Sequence, residues 1–160
     1  MTTALEYAKN NADKFQNELI DLLKIESVST DPAFSGKVRQ AADWLIEEFK
    51  RVGLSSELIE IEGHHPLVYA EWMGAGEDAK TVLVYGHYDV QPAVMEDGWD
   101  TNPFEPVEKD GLLYARGATD DKGQFYAHVK AVEALLQSDD DLPVNVKFII
   151  EGEEESGGEA

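Results

Sequence analysis

Three short segments of this sequence crowd imidazole and carboxylate groups together: Gly86-His87-Tyr88-Asp89, Thr119-Asp120-Asp121-Lys122-Gly123, and Glu151-Gly152-Glu153-Glu154-Glu155-Ser156-Gly157-Gly158. Such donors bind divalent cations, and carboxylates gathered without a cation repel one another and take up protons. A pair of cations removes that penalty. Zinc takes three N and O ligands at a catalytic site and leaves room for water, and two zincs can share a bridging carboxylate. Each segment alone has an ordinary explanation: a lone histidine after a strand is usually packed or solvated, an Asp pair at a helix start is usually a cap, and a glutamate run is usually a solvated loop. Chemistry requires that the fold bring the three together.

The surrounding periodicities say how it would. Leu5, Ala8, Ala12, Phe15, Leu19, Leu22 and Leu23 recur at helical steps behind a Thr3/Glu6 capping box, which predicts one long amphipathic helix with its stripe in the core. Val38, Ala41, Ala42, Leu45, Ile46, Phe49 and Val52 predict a second, capped by Ser35 and Gly53. The period drops to two at ELIEIE, with Ile59 and Ile61 on one face, and LVYAEWM at 67–73 predicts a further strand. TVLVY is continuously apolar and suits a strand buried on both faces. Residues 91–111, rich in Pro, Gly, Asp and Asn, read as a long functional loop. Phe125, Val129, Val132 and Leu136 then mark a helix from about 121, and Val144, Val146, Phe148 and Ile150 a last strand.

The fold class that follows is α/β, an open mixed sheet flanked by helices, in which strand 82–85, the third helix and strand 144–150 form a crossover unit. If those two strands are parallel, their carboxyl ends share the edge where open α/β sheets bind ligands, and all three clusters fall on it.

Composition narrows the rest. The 160 residues, 42% hydrophobic, suit one domain or most of one. With 33 acidic residues against 13 basic, the formal charge of -20 argues against nucleic acid and anionic membrane surfaces as partners. There is no cysteine, so a metal site must be built from His, Asp and Glu. The N-terminus has no basic, apolar leader pattern and no stretch is long enough to span a bilayer, so a cytoplasmic protein is expected.

Read in order, TVLVYGHYDVQP, WDTNPFEP, DGLLYARGATDDKGQ and FIIEGEEESGG resemble the metallopeptidase family of carnosinase, cytosolic non-specific dipeptidase, aminoacylase, succinyl-diaminopimelate desuccinylase and glutamate carboxypeptidase. The likeness runs over about residues 80–158 and leans toward the dipeptidase and carnosinase branch. It implies a zinc-peptidase-like catalytic domain and two Zn2+ ions, with Mn2+ or Co2+ as alternatives. His87 would hold one ion, Asp120 would bridge both, and Glu155 would hold the other. Asp89 would hydrogen-bond the His87 ring and fix its tautomer. Glu154 would be the general base, taking a proton from the attacking water and returning it to the leaving amine. The assignment of 154 and 155 within the glutamate run is keyed by the Ser156-Gly157 that follows. The resemblance also implies a cis peptide between Asp120 and Asp121.

It further implies a small-peptide substrate. Residues 1–160 would be the N-terminal part of a catalytic domain, truncated before a further carboxylate ligand and a histidine, and without the lid domain through which a full-length protein forms homodimers. Each zinc would keep two protein ligands, so weak zinc binding and little or no peptidase activity are expected of the 160 residues. N-acyl amino acid deacylase and carboxypeptidase are alternatives within the family. The rival from another class is a non-catalytic acidic module binding calcium or a basic partner, which His87 disfavours because imidazole is not a normal calcium ligand.

Other residues are left with plainer roles. His64, His65 and His128 read as solvated or packed, Trp44 and Trp72 as core, and Lys122 and Arg116 as charge balance. Trp99 and Phe104, in the long loop, fit either the wall of a substrate pocket or local packing.

Overall fold

The computed structural model describes residues 2–158. Helix α1 (Ala4–Asn10) carries the expected Thr3/Glu6 capping box, and α2 (Ala12–Leu23) follows at once. The single long helix expected here is broken at Asn11, whose side-chain amide donates to the Tyr7 carbonyl at 2.8 Å and draws the backbone out of helical geometry. Leu5 is 65% exposed, so the apolar stripe reaches the core only toward the end of α2, at Leu22 and Leu23. Helix α3 (Ser35–Val52) ends at Gly53 in the left-handed conformation, as its sequence predicts; Ser35 is its first residue, and Phe34 occupies the cap position.

Strands β1 (Ser55–Ile59), β2 (Leu67–Trp72), β3 (Thr81–His87) and β6 (Asn145–Glu151) form one sheet in the order β1-β2-β6-β3. β1, β2 and β6 are successively antiparallel, while β3 runs parallel to β6, with His87 opposite Glu151. Helix α4 (Lys122–Leu136) makes the crossover between them. Between β3 and α4 a short hairpin, β4 (Val107–Lys109) and β5 (Leu112–Tyr114), turns at Asp110 and Gly111, both at positive φ.

The helices cover the sheet face that carries Val68, Ala70, Val84, Phe148 and Ile150, and these close a core with Ala41, Leu45, Phe49, Phe125 and Val129. Trp44 and Trp72 pack against it partly buried. β3 is not buried on both faces. It lies at the end of the sheet, and Leu83 and Tyr85, alternating away from the helices, are 58% and 59% exposed. No helix among the described residues is long and apolar enough to cross a membrane.

Helix α4 is also fixed by charge. Lys130, nearly buried, meets Glu18 of α2 and Glu48 of α3, and Glu133 receives Lys14 at 2.7 Å and Arg51 at 2.8 Å. Glu18, Glu48 and Glu133 could group around a cation, and the protein's own lysines and arginine fill that role. These bonds fix the helix whose first turn borders the candidate site.

Candidate metal centre

β3 and β6 end side by side, and the three acidic clusters meet at that edge. His87, the last residue of β3, is 6% exposed. Its Nε2 lies 3.1 Å from Asp120 Oδ1 and 3.8 Å from Glu154 Oε2. One donor atom from each of His87, Asp120 and Glu155 falls within 4.8 Å of the others. Ligand atoms about 2.1 Å from a tetrahedral zinc stand about 3.4 Å apart. The 3.1 Å between His87 Nε2 and Asp120 Oδ1 is therefore close to the spacing of two ligands on one ion. The donor set fits zinc, with imidazole and carboxylate and no thiolate.

Asp89 is fully buried and organises this edge. Its Oδ2 accepts from Ser29 Oγ at 2.6 Å and from the Glu155 backbone N–H at 3.0 Å. Asp89 meets the His87 ring twice: Nδ1 hydrogen-bonds its main-chain carbonyl at 3.1 Å, and its carboxylate Oδ1, otherwise unpartnered, stands 3.3 Å away. Both contacts keep the Nδ1 hydrogen in place and turn Nε2 toward Asp120. Burial alone would lower the His87 pKa, but the hydrogen bond and charge of Asp89, with Asp120 adding, push it up to about 9. The carboxylates of Asp89 and Asp120 thus surround the ring with negative charge.

The Asp120-Asp121 peptide is cis, in agreement with the resemblance. Asp120 turns outward, its side chain 68% exposed, while Asp121 turns under β3 and accepts the His87 backbone N–H at 3.1 Å. Burial raises the Asp121 carboxyl above its ordinary pKa, and the His87 N–H opposes this. A Cβ on Gly86 would come within 2.9 Å of Phe125 Cβ and hard against Asp121, so the absence of a side chain there lets α4 approach β3.

Lys122 is not surface charge balance. Fully buried, its Nζ donates to the carbonyls of Ile25 at 2.7 Å and Leu22 at 3.2 Å, tying the start of α4 to the end of α2. Burial pushes its pKa down to about 7, with Asp89 opposing. Arg116 stacks over the Trp99 ring at 5.5 Å. Trp99 lines one cleft with Thr101 and Tyr114, and Phe104 another with Pro92 and Met95; neither cleft includes His87, Asp120 or Glu155.

Glutamates 153–155 divide. Glu154 and Glu155 stand in a short 3-10 turn, Glu154–Ser156, beside His87, whereas Glu153 faces the β1–β2 loop, where its carboxylate meets His64 Nδ1 at 2.8 Å. Of the three, Glu155 supplies the donor that falls near those of His87 and Asp120. Sequence reading missed Ser29, Asp121 and Gln91, the last of which donates from Nε2 to Glu155 Oε2 at 2.8 Å. No local pattern marks Ser29 or Gln91; Asp121 was visible as half of an Asp pair and of the expected cis peptide, but its hydrogen bond to the His87 N–H was not.

Residues 83–160 match peptidase family M20/M25/M40. The Cys-Gly metallodipeptidase dug1 of Schizosaccharomyces pombe is 38% identical over 96% of this chain, and the human Beta-Ala-His dipeptidase 38% over 97%. Human carnosine dipeptidase 1 superposes over 98% of the chain with a TM-score of 0.90 at 38% identity. An M20 family metallo-carboxypeptidase from Sulfolobus solfataricus superposes over 89% with a TM-score of 0.79 at 37% identity. The chain spans about a third of the length of these relatives: 34% and 33% of the two curated proteins, 35% and 31% of the two solved chains. Residues 83–160 thus carry a peptidase M20 domain match, and the fold of nearly the whole chain is like that of an M20 family metallo-carboxypeptidase and of human carnosine dipeptidase 1.

Proposed function

We propose that these 160 residues supply the N-terminal part of the catalytic domain of a metal-dependent hydrolase that cleaves the amide bond of dipeptides or similar small peptides. The observation that carries the reading is the convergence of His87, Asp120 and Glu155 donor atoms within 4.8 Å at the carboxyl edge of parallel strands. Its support from relatives is the names of the two matched dipeptidases.

His87 and Asp120 would hold one Zn2+, and Asp120 and Glu155 a second. When bound, the ions would polarise the scissile carbonyl and make water acidic enough to deprotonate near neutral pH. Glu154, its side chain 47% exposed, places Oε2 3.8 Å from His87 Nε2, beside the converging donors and within reach of solvent. It takes the proton of the attacking water and delivers it to the leaving nitrogen. Asp89 holds the His87 tautomer, and Gln91 orients Glu155. With two ligands per ion, these residues bind Zn2+ weakly and need the additional ligands of a complete site for turnover.

Zn2+ titration of the chain with His87→Ala alongside tests the metal reading. Heat of binding lost in the variant supports it; equal binding by both overturns it. Assay of the whole protein on dipeptides, N-acyl amino acids and peptides with a free carboxyl terminus separates dipeptidase from deacylase and carboxypeptidase, the last kept open by the likeness to the Sulfolobus enzyme.

A further inference from the structure

We propose that Glu153 is a positioning residue: its carboxylate anchors the Glu154–Ser156 turn to the loop between β1 and β2, and this anchoring aims Glu154 and Glu155 at the metal site. The inference rests on the metal reading given above. Glu153 Oε2 lies 2.8 Å from His64 Nδ1, and Oε1 accepts the His65 backbone N–H at 3.0 Å. The Glu153 side chain is 12% exposed, so this is an enclosed contact and not a passing surface pair.

The main chain of Glu153 holds the same turn. Its carbonyl accepts from the N–H groups of Ser156 at 3.2 Å and Gly158 at 3.0 Å, and from Ser156 Oγ at 3.2 Å. Its side chain lies directly against Gly158, where any Cβ would collide with the carboxylate. On the inner side the turn is held by Asp89 and Gln91, through the Glu155 N–H and carboxylate. The turn is therefore clamped from two directions, and among the described residues the outer hydrogen bonds to the β1–β2 loop are those of Glu153.

Geometry makes the outer clamp decide the register. Successive side chains of a 3-10 turn point about 120° apart. With three glutamates in a row, a rotation of the turn by one residue would present Glu153 and Glu154 to His87 in place of Glu154 and Glu155. Only Glu153 has partners on the β1–β2 loop, a donor pair from His64 and His65, and engaging them fixes which two carboxylates face the site.

The test compares the chain with Glu153→Ala, Glu153→Gln, His64→Ala and His87→Ala, by Zn2+ calorimetry, by hydrogen exchange over residues 153–158 and by thermal unfolding without metal. Glu153→Ala is expected to weaken Zn2+ binding at least about tenfold and to speed exchange at Ser156 and Gly157, with metal-free unfolding little changed. Glu153→Gln keeps an oxygen for the His65 N–H and should recover most of the affinity. His64→Ala should weaken binding less and add nothing to Glu153→Ala. If Glu153→Ala binds Zn2+ as the unaltered chain does while His87→Ala abolishes binding, this inference fails and the metal reading stands. If His87→Ala binds normally, or the unaltered chain takes no Zn2+, both fail together. Should Glu153→Ala not fold, His64→Ala decides: unchanged affinity and exchange overturn the proposal.

Discussion

Ser29 Oγ donates to Asp89 Oδ2 at 2.6 Å, and through that bond the segment leaving α2 steadies the carboxylate beneath the His87 ring. Asp89 is fully buried, so its charge depends on the few donors that reach it. Ser29→Ala removes one and is expected to cost about 2 kcal/mol, the usual loss for a hydrogen bond to a buried charged group. Urea unfolding of the two chains measures it; a difference of a few tenths or less would show that Asp89 does not rely on Ser29.

Glu154→Gln separates holding a metal from using it. Glu154 is not one of the three converging donors, so Zn2+ affinity should stay within a few-fold of the unaltered protein. Amide hydrolysis by the whole protein should fall by about 10²- to 10⁴-fold, the usual contribution of a general base. Turnover that survives the change would remove Glu154 from its proposed role.

Acid should find the charge cluster under α4. Burial would raise the Glu133 pKa, but hydrogen bonds from Arg51, Lys14 and Lys130 outweigh it and hold the carboxyl down at about 2. A depressed folded-state pKa stabilises the fold fully above the unfolded value of about 4.3. That contribution drains away as pH falls from there toward 2. At pH 7 Glu133→Gln should therefore lose about 3 kcal/mol, the cost of breaking a buried ion pair, and the gap to the unaltered chain should close below pH 4. Parallel unfolding curves with a pH-independent gap would contradict the assignment.

Gly152 lies directly under the ring of Tyr88, a fully buried residue whose hydroxyl donates to the Pro66 carbonyl at 2.7 Å. A Cβ at 152 would overlap the phenol, so Gly152→Ala should destabilise by about 2 kcal/mol through overpacking. Its melting temperature should rise again when Tyr88→Leu is combined with it; no rise would mean the clash lies elsewhere.

Much of this was legible in the sequence because it is periodic or local. The helical step at Val38–Val52, the alternation at Val144–Ile150 and the apolar run before His87 fix three elements, and a parallel crossover then carries the clusters to one edge. The break at Asn11 was hidden because Asn is permissible in a helix and only its side-chain bond to Tyr7 shows otherwise. Asp110-Gly111 is a strong hairpin signal that was submerged in a stretch read as loop. The supports of the site were illegible for another reason. Ser29 meets Asp89 60 positions away, Gln91 meets Glu155 64 away, and His64 meets Glu153 89 away. Single polar residues paired at such distances leave no period to read.

The outer position of β3 has a practical side. Between Thr81 and Gly86 the strand has no charged residue, and among the described residues its backbone is bonded to a neighbour on one flank only. A bare, uncharged border of this kind invites any extended peptide to zip alongside, so concentrated solutions should be prone to self-adhesion. A lysine in place of Leu83, which already faces water, would make that border inhospitable while leaving the chemistry at its far end alone.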